Sequence, residues 1–133
     1  MPNGNGAMKV LVVDDDAGIR SSLGAVLRMK GYVVTAVASG TEALEALQRE
    51  PWQMAIVDLR LPDCSGAEAI QEIKRQSPST TCILITAYAP TAQELAALQR
   101  SGSASFLKPL PLEQLLAMLQ RAASVVPGRA EEV

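Results

Sequence analysis

The sequence predicts an α/β protein in which five strand–helix units form a single doubly wound domain around a five-stranded parallel sheet. Short apolar runs rich in β-branched residues alternate with amphipathic segments along the chain. The length of 133 residues, 48% of them hydrophobic, suits one domain with a substantial core. Two of the apolar runs end abruptly in aspartate, as expected where buried strands reach the ligand-binding edge of such a sheet.

The amino-terminal part of the chain predicts two strand–helix units. Residues 9–13 and 33–37 are rich in valine and predict the first two strands. Residues 17–30 predict a helix that Gly31 ends, because glycine accepts the conformation found at helix C-termini. The Ser-Gly-Thr-Glu sequence that starts at Ser39 matches a capping box and opens the second helix. The expected apolar faces are Ile19, Leu23, Val26 and Leu27 on the first helix and Ala43, Leu44 and Leu47 on the second.

Three further units follow. Apolar runs predict strands at residues 54–57, 82–85 and, more weakly, 104–107. Capping-box patterns at Ser65 and Thr91 open the third and fourth helices. Pro109-Leu110-Pro111 leads into the last helix. The residues expected to point inward are Ile70 and Ile73, then Leu95 and Leu98, and finally Leu112, Leu115, Leu116 and Leu119.

Composition argues against several classes of function. The net charge of −2, without a basic block, offers no surface for nucleic acid or an anionic membrane. No apolar stretch is long enough to cross a bilayer, and residues 1–7 resemble a flexible polar lead rather than a signal peptide, so we expect a cytoplasmic protein. The absence of histidine excludes histidine-based catalysis and phosphohistidine on this chain. Cys64 and Cys82 have no spacing typical of a disulfide or metal site.

Acidic and polar side chains follow the predicted strands at one edge of the sheet. Residues 14–16 are three aspartates that follow the first strand, and Asp58 follows the third. Thr86 follows the fourth strand and Lys108 the fifth. Carboxylates without a complete set of protein ligands suit Mg²⁺, which keeps waters and shares a phosphate. The hydroxyl and the ammonium would then bind the oxygens of a phosphoryl group.

These motifs resemble those of response-regulator receiver domains, the CheY-like family of two-component signalling. The resemblance covers residues 8–124 and leaves 125–133 as a tail or linker. It implies the flavodoxin-like strand order 2-1-3-4-5. Four motifs carry it, in order and at the family's spacing: Val12-Val13-Asp14-Asp15-Asp16, Val57-Asp58-Leu59-Arg60-Leu61-Pro62 with Gly66, Ile85-Thr86-Ala87, and Leu107-Lys108-Pro109.

The resemblance implies a role for each motif residue. Asp58 would accept a phosphoryl group from a phosphohistidine on a sensor kinase or phosphotransfer protein. Asp15, Asp58 and the backbone carbonyl of Arg60 would bind Mg²⁺, with Asp14 acting through water. Lys108 would pair with Asp58 and then with the phosphoryl group. Thr86 would report phosphorylation to the surface that binds a downstream effector or a fused output domain. Such a module is not an enzyme in the usual sense: it catalyses only its own phosphorylation and slow dephosphorylation.

The sequence departs from the family at the fifth strand. Relatives often carry an aromatic residue three positions before the lysine, where this chain has Ser105 and, one place later, Phe106. Either the strand slips by one residue or the switch is altered. Arg60 and Tyr88, two positions after the acceptor and two after the threonine, occupy sites that control water access in the family. We expect these bulky side chains to slow dephosphorylation.

Two other functions fit part of the pattern. A phosphohydrolase of the haloacid dehalogenase type would use Asp14, Asp16, Thr86 and Lys108, but it needs a later acidic pair and leaves Asp58 without a role. The carboxy-terminal half of the chain contains no aspartate. A receiver fold that acts only as a non-phosphorylated interaction module would not require the acids, the threonine and the lysine. The resemblance also implies that a homodimer could form through the fourth helix, fifth strand and fifth helix. The thin apolar face of the fourth helix does not require such a dimer.

Overall fold

A five-stranded parallel sheet forms the centre of the protein, and the computed structural model describes residues 8–109 and 112–124. Its strands are β1 (Lys9–Val13), β2 (Val33–Val37), β3 (Met54–Asp58), β4 (Thr81–Thr86) and β5 (Ala104–Leu107). They pair in the order β2-β1-β3-β4-β5, as the resemblance implies. The first strand is therefore internal, β3 is the central strand, and β2 and β5 are the edges.

Helices cover both faces of the sheet. They are α1 (Ala17–Met29), α2 (Gly40–Arg49), α3 (Gly66–Gln76), α4 (Ala92–Ser101) and α5 (Leu112–Ser124). Side chains of α1 and α5, such as Leu27 and Leu115, pack with Val10 and Val12 on one face. Side chains of α2, α3 and α4 pack on the other face with Leu11 and Val13. This alternation along β1 is the two-residue period of a strand that is buried on both sides.

The predicted elements are all present, with small differences at their ends. The first helix ends at Met29 with Lys30 as its C-cap, and Gly31 follows with a φ of 98°. Both capping-box hydrogen bonds form at Ser65 and at Thr91. At the start of α2, by contrast, Glu42 accepts a hydrogen bond from the backbone of Ala38 instead of closing the box on the N-cap residue.

Two leucines that were expected to point inward do not. Leu95 on α4 is 40% exposed and Leu112 on α5 is 36% exposed, whereas Leu98, Leu115 and Leu119 are buried. These two helices flank the edge strand β5, which offers less surface to cover than the central strands. The expectations for residues 1–7, 110–111 and 125–133 lie outside the described residues. Within the described ranges, every helix is too short or too polar to span a membrane.

Candidate functional site

Three carboxylates meet at the carboxyl-terminal edge of the two central strands. β1 and β3 pair in parallel with Val13 opposite Val57, so the aspartates that come next in each strand are neighbours. One oxygen from each of Asp14, Asp15 and Asp58 lies within 4.8 Å of the others. Asp14 and Asp58 are buried and Asp15 is exposed, so the cluster opens to solvent on one side.

The ammonium of Lys108 lies against this cluster. Its Nζ is 3.1 Å from Oδ2 of Asp14 and 3.2 Å from Oδ1 of Asp58. The backbone N–H of Lys108 donates to the carbonyl of Thr86 at 2.7 Å, which fixes the lysine at the end of β5. Burial lowers the pKa of Lys108, but the two carboxylates outweigh burial and hold that pKa above its usual value. The lysine is therefore charged at neutral pH.

Asp58 is held in an environment that disfavours its charge. Burial raises the pKa of its carboxyl above the usual value of 3.8, and the neighbouring Asp14 raises it further. Lys108 acts in the opposite direction and offsets only part of this effect. The ionised form of Asp58 is thus poorly stabilised by the protein alone, as expected for a carboxylate whose partner is an additional cation.

The main chain around Asp14 is fixed by several hydrogen bonds. Its N–H donates to Val37 at 3.1 Å, and its Oδ1 accepts from the N–H of Asp16 at 2.9 Å. The guanidinium of Arg20 donates to its carbonyl oxygen at 2.8 Å, a contact that the helical pattern did not predict. Asp16 in turn accepts from Ile19 at 3.0 Å and caps α1, so its side chain serves the helix.

The loop after Asp58 returns tightly to α3. The N–H of Gly66 donates to the carbonyl of Leu59 at 2.7 Å, and a Cβ at position 66 would lie 2.1 Å from the carbonyl oxygen of Asp58. Only glycine allows the loop to pass this close to the strand. Arg60 projects from the same loop with 58% of its side chain exposed, and its guanidinium lies 4.0 Å from Glu94 on α4.

Thr86 lies at the end of β4 and is buried. Its hydroxyl donates to the carbonyl of Tyr88 at 2.7 Å and accepts from the N–H of the same residue at 3.1 Å. The hydroxyl is therefore committed to the β4–α4 loop and not to the acids. Tyr88 itself is 66% exposed.

The fifth strand pairs with β4 in a continuous register. β4 and β5 pair with Leu84 opposite Ser105 and Ile85 opposite Phe106, without a bulge. Phe106 consequently packs on the face covered by α1 and α5, whereas Ser105 is exposed on the opposite face. A cleft of about 450 Å³ lies beside the serine. This continuous pairing favours the alternative in which the switch is altered, with no aromatic side chain at position 105.

The donor set of the cluster fits Mg²⁺. Three ionised carboxylates and one ammonium carry a net charge of −2, which one divalent cation would neutralise. All the available atoms are hard oxygens, and three carboxylates leave positions for water and for a phosphate oxygen, as Mg²⁺ prefers. The structure thus brings Asp14, Asp15, Asp58 and Lys108 together, while Thr86 stands at the same edge with its hydroxyl turned to its own loop.

Comparison with known proteins identifies the class. Residues 10–120 match the family described as the response regulator receiver domain, and the chain belongs to that family. Over 113 residues, or 85% of the chain, it is 33% identical to the transcriptional regulatory protein ZraR of Escherichia coli K12. That match spans 26% of ZraR, so the chain corresponds to about a quarter of this curated relative.

Solved structures agree with the fold. A CheY-like receiver domain from Methanospirillum hungatei superimposes with a TM-score of 0.83 at 28% identity, covering 89% of this chain and 94% of that one. The response regulator TrrA of Thermotoga maritima, crystallised in complex with Mg²⁺ and beryllium fluoride, gives a TM-score of 0.77 at 27% identity. That comparison covers 86% of this chain and 98% of TrrA. The protein is therefore a signalling receiver domain of the two-component type.

Proposed function

We propose that Asp58 is the phosphoryl acceptor of this receiver domain. The observation that carries the proposal is the grouping of three carboxylates within 4.8 Å of one another, two of them paired with Lys108. Of the three, Asp58 is buried at the end of the central strand β3 and has a raised pKa. The protein alone stabilises the ionised form of Asp58 poorly, so neighbouring positive charges would stabilise it. Its carboxylate oxygen would remain available as a nucleophile.

The proposed step is an in-line transfer. A carboxylate oxygen of Asp58 attacks the phosphorus of a phosphohistidine on a sensor kinase or phosphotransfer protein. The new bond joins that oxygen to phosphorus, and the bond between phosphorus and the imidazole nitrogen breaks. The electron pair stays on the nitrogen, which takes a proton from solvent. Lys108, 3.2 Å from Asp58, is placed to bind a phosphoryl oxygen as charge develops.

The same acids would hold the metal ion. Asp15, Asp58 and the backbone carbonyl of Arg60 would bind Mg²⁺ directly, with Asp14 acting through a water molecule. When bound, Mg²⁺ supplies neutralisation of the carboxylates and of the phosphoryl oxygens. Lys108 would keep its ion pair with Asp14, which orients the ammonium during the transfer.

Thr86 would carry the response. Its hydroxyl is held by two hydrogen bonds to Tyr88, and these would be exchanged for one to a phosphoryl oxygen. That exchange would draw the β4–α4 loop towards the site and change the face formed by α4, β5 and α5. A downstream effector, a fused output domain or a second copy of the chain would bind that face. Because Ser105 replaces the aromatic residue common in relatives, the loop itself would carry the change.

Phosphorylation with acetyl phosphate and MgCl₂ tests the acceptor. Intact-protein mass spectrometry should show one phosphoryl group on the wild type and none on Asp58→Asn. Asp16→Asn is the matched control, because this aspartate adjoins the cluster but caps α1, and it should be labelled like the wild type. Labelling of Asp58→Asn, or labelling that persists in EDTA, would contradict the proposal.

Arg60 and Tyr88 are proposed to limit access of water to the phosphoryl group. Both side chains are largely exposed and stand on the two loops that border the acids. Dephosphorylation of Arg60→Asn and Tyr88→Ala should be faster than that of the wild type, by roughly tenfold if shielding is worth about 1.4 kcal/mol. Release no faster than that of the wild type in both variants would contradict this role.

Neither alternative function gains support from the findings. A dehalogenase-type hydrolase would use Asp14 as its nucleophile and would leave Asp58, which pairs with Lys108 at 3.2 Å, without a role. A purely structural receiver would gain nothing from a raised pKa at Asp58. If beryllium fluoride with Mg²⁺ leaves the melting temperature unchanged, the interaction module becomes the better explanation, because a ligand of the folded state raises that temperature.

A further inference from the structure

The tip of the loop between β3 and α3 binds the start of α2. The carboxylate of Asp63 accepts hydrogen bonds from the N–H of Gly40 at 2.9 Å, the N–H of Thr41 at 2.9 Å and the hydroxyl of Thr41 at 2.7 Å. Gly40 and Thr41 are the first residues of α2. The N-cap residue of this helix, Ser39, instead accepts a hydrogen bond from the N–H of Glu42. The Thr41 hydroxyl, followed by the two N–H groups, holds the pKa of Asp63 at about 2.

This contact closes one end of a short hairpin. Arg60 and Ser65 pair as an antiparallel bridge, and the N–H of Leu61 donates to the carbonyl of Cys64 at 3.3 Å. Pro62 and Asp63 therefore form the tip of the hairpin. Both tip residues are exposed, and the hydrogen bonds of Asp63 join the tip to α2.

The other end of the hairpin is fixed by close packing. Gly66 donates to Leu59 at 2.7 Å and leaves no room for a Cβ beside the carbonyl of Asp58. Arg60 thus lies between two anchors, one at the base of the hairpin and one at its tip. Both anchors restrict the backbone on either side of Arg60.

From this geometry we infer that Asp63 is a positioning residue for the metal site: by binding the start of α2, it holds the backbone carbonyl of Arg60 towards the acidic cluster. The inference rests on the proposed role of that carbonyl as a ligand. Asp63 is not one of the three carboxylates of the cluster. Removal of such outer partners commonly weakens metal binding by about 10- to 100-fold.

Binding of Mn²⁺, measured as the loss of the electron paramagnetic resonance signal of the free ion, tests the inference without phosphorylation. At about 0.15 M salt, where surface charges more than about 8 Å apart are largely screened, Asp63→Asn should raise the Kd about tenfold. Thr41→Val keeps the carboxylate and removes only the hydroxyl, so it should raise the Kd by about threefold. The double variant should bind no more weakly than Asp63→Asn, because both changes break one contact.

Glu72→Gln is the matched control. Glu72 lines the same surface depression as Asp63 and also carries a pKa of about 2, but its partners are Arg75 and Gln76 on its own helix. Loss of this charge should leave the Kd unchanged. Urea unfolding without metal measures the structural effect of each variant separately.

The outcomes separate the proposals. A Kd that rises in Asp63→Asn and Thr41→Val but not in Glu72→Gln supports the positioning role. Lower stability with an unchanged Kd overturns it and makes Asp63 a helix cap only. If the Asp63 and Glu72 variants weaken binding equally, the effect is one of charge and the inference falls. If the wild type itself binds no Mn²⁺, both the proposed metal site and the inference are wrong.

Discussion

The central strand β3 and the edge strand β5 both deliver a residue to the site, but they are built differently. All five residues of β3 are buried, whereas residues of β5 alternate between half-buried and exposed. The proposed acceptor Asp58 therefore stands on a strand that cannot shift without opening the core. Lys108 and the neighbouring β4–α4 loop stand where movement exposes little new apolar surface. The difference indicates two parts of the site. A rigid part, around β3, binds charge, and a looser part, around β5 and the β4–α4 loop, responds to that charge.

The sharpest test compares truncations in the two strands. Ile56 on β3 is fully buried, and Leu107 on β5 is 56% exposed. Ile56→Ala should lower the free energy of unfolding by about 4 kcal/mol, and Leu107→Ala by less than about 1 kcal/mol, because only the first leaves a cavity. Urea unfolding of both variants measures the difference. Equal costs would show that the edge strand is as firmly packed as the centre.

Two glycines allow the same comparison in the loops. Gly66 lies against the backbone of Asp58, with 2.1 Å to its oxygen for an added Cβ, whereas Gly102 between α4 and β5 has open space but a φ of 70°. Gly66→Ala should cost about 3 kcal/mol through the steric clash. Gly102→Ala should cost about 1 kcal/mol through backbone strain alone. Thermal unfolding followed by circular dichroism gives both values, and a larger cost at position 102 would reverse the comparison.

The charge of Asp58, in the rigid part around β3, should also lower the free energy of unfolding. The pKa of Asp58 is higher in the folded protein than in the unfolded chain, so its ionised form destabilises the fold at neutral pH. Without divalent cations, Asp58→Asn should therefore raise the free energy of unfolding by about 1 kcal/mol, because a buried charge is removed, its repulsion from Asp14 is relieved and Lys108 keeps one partner. Asp16→Ala, which removes a helix cap, should be destabilising. A less stable Asp58→Asn protein would contradict this explanation.

The smallest effect concerns Asp63. Its pKa of about 2 lies below the usual 3.8, so the stability that it contributes is complete above about pH 4 and is lost as the pH falls towards 2. The side chain is exposed, so solvent reduces the effect. Asp63→Asn should show a shallower loss of stability over this interval than the wild type. Identical slopes would mean that the contact with α2 does not persist in solution.

The sequence was sufficient to predict the structure where a residue type has few structural roles. Short apolar runs predicted the five strands, and amphipathic spacing with caps or glycine and proline at the ends predicted the five helices. Aspartates directly after two strands predicted the acidic cluster. The order of the strands came from the family resemblance. These predictions depend on local chemistry and on the rule that parallel strands share a ligand-binding edge.

Contacts between distant segments could not be predicted in the same way. Nothing in the spacing of Asp63 and Gly40 indicates that a loop caps a helix 23 positions earlier in the chain. The exposure of Leu95 depends on how much of α4 the edge strand covers, which a helical period does not reveal. Which residues of β4 lie opposite Ser105 and Phe106 required the register between the two strands.

The ion pair between Lys108 and Asp14 joins positions 94 residues apart. The three acids are all synthesised by position 58, but their countercharge is added only with the last strand. The pairing of β1 with β3 therefore brings the acids together without their countercharge, which the structure gains only when β5 joins β4.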